Sequence, residues 1–254
     1  MKFSKDLEYE KEHHLKLDLY QNDAKNKVKM SLIIIHGGGW FRGSKDSETE
    51  LATKFVTLGY DVVVPDYRLA PPNFYPAPQE DINQAYQWTK SQFPTNEIAV
   101  LGTSVGGTMA VELAIKYGIP AVSLSGIFDL EKWIRKHQSV EPVLEALKSD
   151  DPEEQLKLNE QFYKGFILNY LGQNLDLLKK ATPYYRVSST TGPVFLLNSM
   201  DELAPVSGVL KMEKSLAKHG VLSWVHFLAG TRHGHSYALE VTASVDQFLK
   251  QKNG

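Results

Sequence analysis

The run Ile98–Leu101 ends in Gly102-Thr103-Ser104-Val105-Gly106-Gly107, and residues 105–117 then carry a helical pattern stopped by Gly118. An apolar strand that passes through a glycine-flanked serine straight into a helix is a strand–turn–helix unit. No other feature constrains the fold as tightly. A strand feeding a helix rejoins its sheet by a crossover, and crossovers of this kind build parallel sheets with helices on their faces. The turn leaves no room for side chains at its flanks, which accounts for glycine at 102 and 106. It lifts the Ser104 hydroxyl off the sheet edge, at a helix N-terminus that favours developing negative charge. The competing reading is a glycine-rich turn that holds a serine by chance.

The same rhythm runs through most of the chain. Leu32–Ile35 and Val62–Val64 are short apolar runs of the kind buried on both sheet faces. Ala121–Leu124, Pro193–Leu197 and Leu222–Leu228 read as further strands. Helical spacing covers 48–58, closed by Gly59, then 80–92, 206–219, closed by Gly220, and 238–250. Leu15, Leu17 and Leu19 alternate with Lys16 and Asp18, the pattern of a half-buried strand near a sheet edge. These elements define an α/β protein with a mainly parallel central sheet and helices on both faces. Residues 127–187 break the alternation. They are rich in charge and helix formers, and Phe162, Phe166 and Tyr170 recur every four residues. We read this stretch as an inserted helical cap or lid within a single domain spanning 1–254.

Composition narrows the partners. The net charge is −2 and no basic patch stands out, which argues against nucleic acid. The chain has no cysteine, which removes disulfides, thiolate catalysis and thiolate metal sites together. The N-terminal MKFSKDLEYEKEHH lacks the apolar core of a secretory signal, and no apolar run approaches a membrane span. The expectation is a soluble cytoplasmic protein, with the oligomeric state left open and a homodimer among the options.

The second chemical feature is His36-Gly37-Gly38-Gly39-Trp40, directly after a buried strand. Its glycines leave backbone N–H groups unshielded. The amides of Gly38 and Gly39, with that of Val105, would form an oxyanion hole. A phosphate loop is the alternative, but the GK[ST] ending is missing. His36 reads as a residue that holds the loop rather than as a base.

These residues carry a resemblance. HGGGW resembles the oxyanion loop of the hormone-sensitive-lipase-like esterases within the α/β-hydrolase superfamily. Asp66-Tyr67-Arg68-Leu69-Ala70-Pro71 resembles their DYRLAP segment, and Tyr75-Pro76-Ala77 with Glu80-Asp81 their FPA…ED stretch. Ser104-Val105-Gly106-Gly107 resembles SAGG, with valine for alanine. The resemblance runs from about residue 30 to 126 and again from about 192 to 237. It implies an α/β-hydrolase fold and a serine carboxylesterase that acts on a small-molecule ester, without cofactor or metal. Two departures stand out. Only about 35 residues precede HGGG, as in the small carboxylesterase and kynurenine-formamidase-like branches, and Thr103 stands where Asp or Glu is usual.

The resemblance also assigns partners to Ser104. Asn198-Ser199-Met200-Asp201-Glu202-Leu203-Ala204-Pro205 is similar to the family's acid-bearing loop, which nominates Asp201 as the acid, with Glu202 in reserve. Leu228-Ala229-Gly230-Thr231-Arg232-His233-Gly234 is similar to its YPGxGHGF ending, which nominates His233 as the base. His235 is the alternative, because Gly234-His235-Ser236-Tyr237 fits the same ending two residues later. A zinc pair at His233 and His235 lacks a third ligand at a recognisable spacing. Trp40, Phe41, Tyr184 and Tyr185 are candidates for the wall of a pocket taking short-acyl and aryl esters. Two other functions compete: an N-formylkynurenine-type amidohydrolase, and a catalytically inactive hydrolase fold serving as a binding module.

Overall fold

A computed structural model describes residues 1–23 and 27–251. Eight strands form one sheet: β1 (Lys2–Glu10), β2 (Leu15–Gln21), β3 (Met30–Ile35), β4 (Asp61–Pro65), β5 (Glu97–Thr103), β6 (Ala121–Leu124), β7 (Val194–Ser199) and β8 (Ser223–Leu228). Their spatial order is β1-β2-β4-β3-β5-β6-β7-β8. β1 and β2 form an antiparallel hairpin, β2 pairs antiparallel with β4, and every pairing from β4 to β8 is parallel. β2 therefore lies one strand inside the edge. The edge is β1, whose residues are exposed or half-buried: Phe3 rests on Tyr20, and Leu7 and Tyr9, past an irregularity in the pairing between Ser4 and Leu7, pack against the core.

The central strands are buried on both faces, and their side chains sort into two cores by the period of two. Ile33, Ile35, Val63 and Val100 point to one face, and Leu32, Ile34, Val62, Val64 and Leu101 to the other. The first face is covered by α2 (Ala77–Gln92), α3 (Val105–Tyr117) and α7 (Val206–Lys218), through Ile82, Met109 and Met212. The second is covered by α1 (Thr49–Thr57) and α9 (Thr242–Leu249), through Phe55 and Phe248.

Between β6 and β7 lie α4 (Glu131–Lys136), α5 (Pro152–Tyr170) and the short α6 (Leu178–Ala181). α5 begins at Asp151, whose carboxylate accepts from the amides of Glu153 and Glu154, with Pro152 in the first helical position. Its far half is buried. Lys164 donates to the carbonyls of His137, Gln138 and Val140 and so ties α5 to the end of α4. Tyr170 stacks on Trp40 at 3.9 Å, and Asn169 Nδ2 donates to the Ala70 carbonyl at 3.1 Å. The inserted helices are thus docked on the loops that follow β3 and β4. No helix among the described residues is long and apolar enough to cross a membrane.

Candidate active site

Four loops that leave the C-terminal ends of parallel strands meet at one place, where open α/β sheets characteristically bind their ligands. The loop after β5 brings Ser104. Its backbone sits at φ 54°, ψ −124°, a region that L-residues rarely adopt. The Ser104 amide donates to the Leu124 carbonyl at 2.7 Å, which anchors the turn to β6. A Cβ at Gly102 would lie 2.1 Å from the Gly106 carbonyl oxygen, and one at Gly106 would lie 2.2 Å from the Ile35 carbonyl oxygen. Glycine is thus required at both flanks by close backbone approach. The second contact presses α3 onto the end of β3, the strand that carries the HGGG loop.

That loop is held in a left-handed course, with φ +114° at Gly38 and +63° at Gly39. The Gly38 carbonyl accepts from the amides of Phe41 and Arg42, which closes the loop on itself. Among the described residues no acceptor meets the amides of Gly38 and Gly39, and the Val105 amide is the unspent first donor of α3. His36 is buried and stacks on Tyr67 at 4.2 Å, with its Nδ1–H donating to the Gly37 carbonyl at 2.7 Å. Burial lowers its pKa to about 4, so it is neutral and structural.

The loops after β7 and β8 bring a carboxylate and an imidazole together. His233 Nδ1 hydrogen-bonds Glu202 Oε2, and this corrects the expectation for Asp201. Glu202 is buried, whereas Asp201 is exposed and bonds through its backbone, its amide donating to the Gly230 carbonyl at 3.0 Å. Consecutive residues in this loop face opposite ways. The Ser199 amide (2.8 Å) and Ser125 Oγ (2.9 Å) both donate to Glu202 Oε1, which turns the second carboxyl of the pair inward. With a carboxylate as acceptor, the neutral form of the imidazole carries its proton on Nδ1 and keeps the lone pair on Nε2. His235, the alternative base, does not reach this carboxylate. It opens α8 (His235–Ala238) with its side chain half-exposed and its Nε2 3.8 Å from Glu48 Oε2.

Ser125 and Glu48 have no counterpart in the sequence reading. Ser125, at φ +59°, also accepts from the Gly234 amide at 2.7 Å and lies 2.7 Å from Tyr237 Oη. It links the acid loop, the histidine loop and β6. Glu48 is buried, and its Oε1 accepts from Thr103 Oγ1 at 3.2 Å while its Oε2 has no hydrogen-bond partner. Desolvation raises its pKa. A carboxylate from the 3-10 turn before α1 thus meets the side chain directly before Ser104. A buried residue without motif or period leaves no trace in one sequence.

Ser104, His233, His235, Gly37, Gly38, Gly39, Thr103 and Glu48 line one cleft of about 350 Å³. Its apolar wall comes from Phe162 and Phe166 of α5 and from Leu203. The aromatic residues expected there are placed otherwise. Trp40 is fully buried beneath Tyr170, and Phe41 is not among the lining residues but stands edge-on to Phe162 at 6.3 Å. Tyr184 is buried with its hydroxyl donating to Asp129 at 2.9 Å, and Tyr185 is exposed outside the cleft. The two halves of the DYRLAP…ED stretch meet through a fork, in which Arg68 Nε and Nη2 donate to the buried Asp81 carboxylate at 2.9 and 2.7 Å.

A family model described as alpha/beta hydrolase fold matches residues 32–236, and the chain belongs to that family. Among characterised relatives, a kynurenine formamidase of Meyerozyma guilliermondii is 28% identical over 169 residues, 59% of this chain and 62% of that protein. An ethyl acetate hydrolase of Pseudomonas putida is 34% identical over 110 residues, 40% of this chain and 35% of that protein. The chain thus spans less than two thirds of the length of these curated relatives. Among solved structures, a hyperthermophilic esterase from Pyrobaculum calidifontis superposes with a TM-score of 0.74 at 22% identity, covering 93% of this chain and 79% of that one. At that identity the likeness speaks for the fold.

Proposed function

We propose that this chain is a serine carboxylesterase acting on small short-acyl and aryl esters through an acyl-serine intermediate. The observation that carries the reading is the meeting in one cleft of a serine on a strained strand–helix turn, an imidazole bonded to a buried carboxylate, and the Gly38 and Gly39 amides without acceptors, with the Val105 amide next to the serine. Ser104 Oγ attacks the ester carbonyl while His233 Nε2 takes its proton. Glu202 holds the imidazole in the required tautomer and stabilises the imidazolium. The amides of Gly38, Gly39 and Val105 receive the oxyanion, each donor in such a hole typically being worth about 3 kcal/mol of barrier. His233 then returns the proton to the leaving alcohol. Water, activated by the same imidazole, releases the acid and frees Ser104. Wild-type protein should label with a fluorophosphonate at Ser104 and hydrolyse p-nitrophenyl acetate and butyrate. Ser104→Ala should lose both, with kcat falling by roughly 10⁶ as in another serine hydrolase. An intact protein that neither labels nor turns over any ester would instead be an inactive fold used for binding.

A second reading, an N-formylkynurenine-type amidohydrolase, is favoured by the relatives named kynurenine formamidase. The same machinery serves both bonds. Relatives of that sort often carry an aromatic residue inside the oxyanion motif. Here the place is taken by Gly39, where a Cβ would lie 2.7 Å from the Phe41 ring. N-formylkynurenine belongs in the substrate panel, and a kcat/KM for it well above those for the esters would replace the first reading by the second.

A further inference from the structure

Arginine pairing in this chain has one exception, and it lies at the candidate active site. Arg68, Arg135, Arg186 and Arg232 each pair with a carboxylate: Asp81, Glu131, Glu112 and Glu240 respectively. Arg42 lines the cleft with Ser104, and no carboxylate of the described residues lies within ion-pair distance of it. It is nevertheless placed. Its amide donates to the Gly38 carbonyl at 3.1 Å, which ties it into the HGGG loop. Its guanidinium lies 5.2 Å from the ring centroid of Phe41 and 5.4 Å from that of Phe162. Aromatic faces hold a guanidinium without consuming its N–H donors. The other charged groups that line the cleft do not neutralise it. Glu48 is buried and faces Thr103 and His235, and His233 is engaged by Glu202.

We propose that Arg42 binds an anionic group of the substrate, a carboxylate remote from the scissile bond, so that the cleft selects carboxylate-bearing esters. This rests on the serine-esterase reading and gives it a substrate class. A guanidinium meets a carboxylate through two parallel N–H···O bonds, so the match is geometric as well as electrostatic. The carboxylate has two places to be, on the acyl part or on the alcohol part, and two substrate pairs separate them. The first pair is mono-p-nitrophenyl glutarate and its methyl-capped neutral counterpart. The second is 4-acetoxybenzoate and its methyl ester.

The measured quantity is the ratio of kcat/KM for the anionic to the neutral member, in wild type, Arg42→Lys and Arg42→Gln. In one of the two pairs the wild-type ratio should be roughly ten-fold or more, as expected for hydrogen bonds between charged groups. It should shrink in Arg42→Lys, which keeps the charge and loses the fork, and fall to about one in Arg42→Gln. It should also fall as salt is raised. A wild-type ratio near one in both pairs would overturn the proposal while leaving the esterase reading standing, because the neutral members are still hydrolysed. A preference that survives in Arg42→Gln would overturn it equally. Failure to hydrolyse any of the four esters would remove the esterase reading, and this one with it.

Discussion

Glu202 and His233 are joined by a side-chain hydrogen bond across 31 residues of sequence, while Asp201, the neighbour of Glu202, faces solvent. The two carboxyls therefore make opposite predictions under the same chemistry. Glu202→Gln leaves the shape intact but allows its amide to donate toward Nδ1, which favours the wrong imidazole tautomer. By analogy with the acid of another serine hydrolase, kcat should fall roughly 10⁴-fold. Asp201→Asn should change kcat by less than about two-fold, as expected for an exposed residue outside the network. Steady-state kinetics on p-nitrophenyl butyrate decide it, and the reverse ranking would return the acid role to Asp201.

Ser125 is a positioning residue, and its removal should separate kcat from KM. Its hydroxyl donates to Glu202 Oε1 and accepts from the Gly234 amide, but it does not line the cleft. Ser125→Ala loosens both loops and leaves the buried Gly234 N–H without an acceptor, at a cost of about 1–3 kcal/mol in stability. The Ser199 amide still holds Glu202, so the effect on rate should be partial, with kcat down by roughly ten-fold. KM should hold. A KM rise with constant kcat would mean that Ser125 shapes substrate binding instead.

The central architecture was legible because parallel strands buried on both faces read as unbroken apolar runs, as Leu32–Ile35 and Val62–Val64 do. The elbow around Ser104 was legible because close backbone approach demands glycine at 102 and 106, and glycine shows in a sequence. β1 escaped because Lys5 interrupts its apolar positions Phe3, Leu7 and Tyr9, and an irregularity in the pairing between Ser4 and Leu7 divides the strand into pieces too short to carry a period. The choice between Asp201 and Glu202 escaped for a different reason. Adjacent residues in a loop differ only in direction, and that direction is set here by the Ser199 amide and Ser125 Oγ. The periodicity of Phe162 and Phe166 announced a helix face but not that it would face the cleft in place of Tyr184 and Tyr185.

Phe162 should set the acyl-chain profile. It lines the cleft and packs edge-on against Phe166 at 5.4 Å. Phe162→Ala removes the ring and lengthens the apolar space, and each methylene newly accommodated is worth about ten-fold or more in relative kcat/KM. The wild type should favour p-nitrophenyl acetate and butyrate, and the variant should move its optimum towards hexanoate and octanoate. The truncation costs about 3–5 kcal/mol, so Phe162→Leu provides a milder version of the same test. An unchanged profile in both variants would place the acyl chain elsewhere in the cleft.

Glu48 makes a prediction about pH. Burial raises its pKa above the ordinary carboxyl value of 4.5, so the folded state holds its proton more tightly than the unfolded chain does. Below that value both states are protonated and the group costs nothing. As pH rises, the unfolded chain releases the proton first, and stability falls until the folded carboxyl also ionises; the loss then persists at higher pH. Glu48→Gln removes this linkage. Its amide oxygen still accepts from Thr103, and its NH₂ gives the place of the unpartnered Oε2 a donor within reach of His235. The variant should match the wild type near pH 4 and exceed it by roughly 1–2 kcal/mol at pH 8, about 3–6 °C in Tm. Thermal melts of both proteins across that range measure the difference. A gap that is constant with pH would show that Glu48 does not titrate between the two states, and a variant less stable than the wild type at pH 8 would show that the ionised carboxylate is paired in the fold, with His235 as the partner within reach.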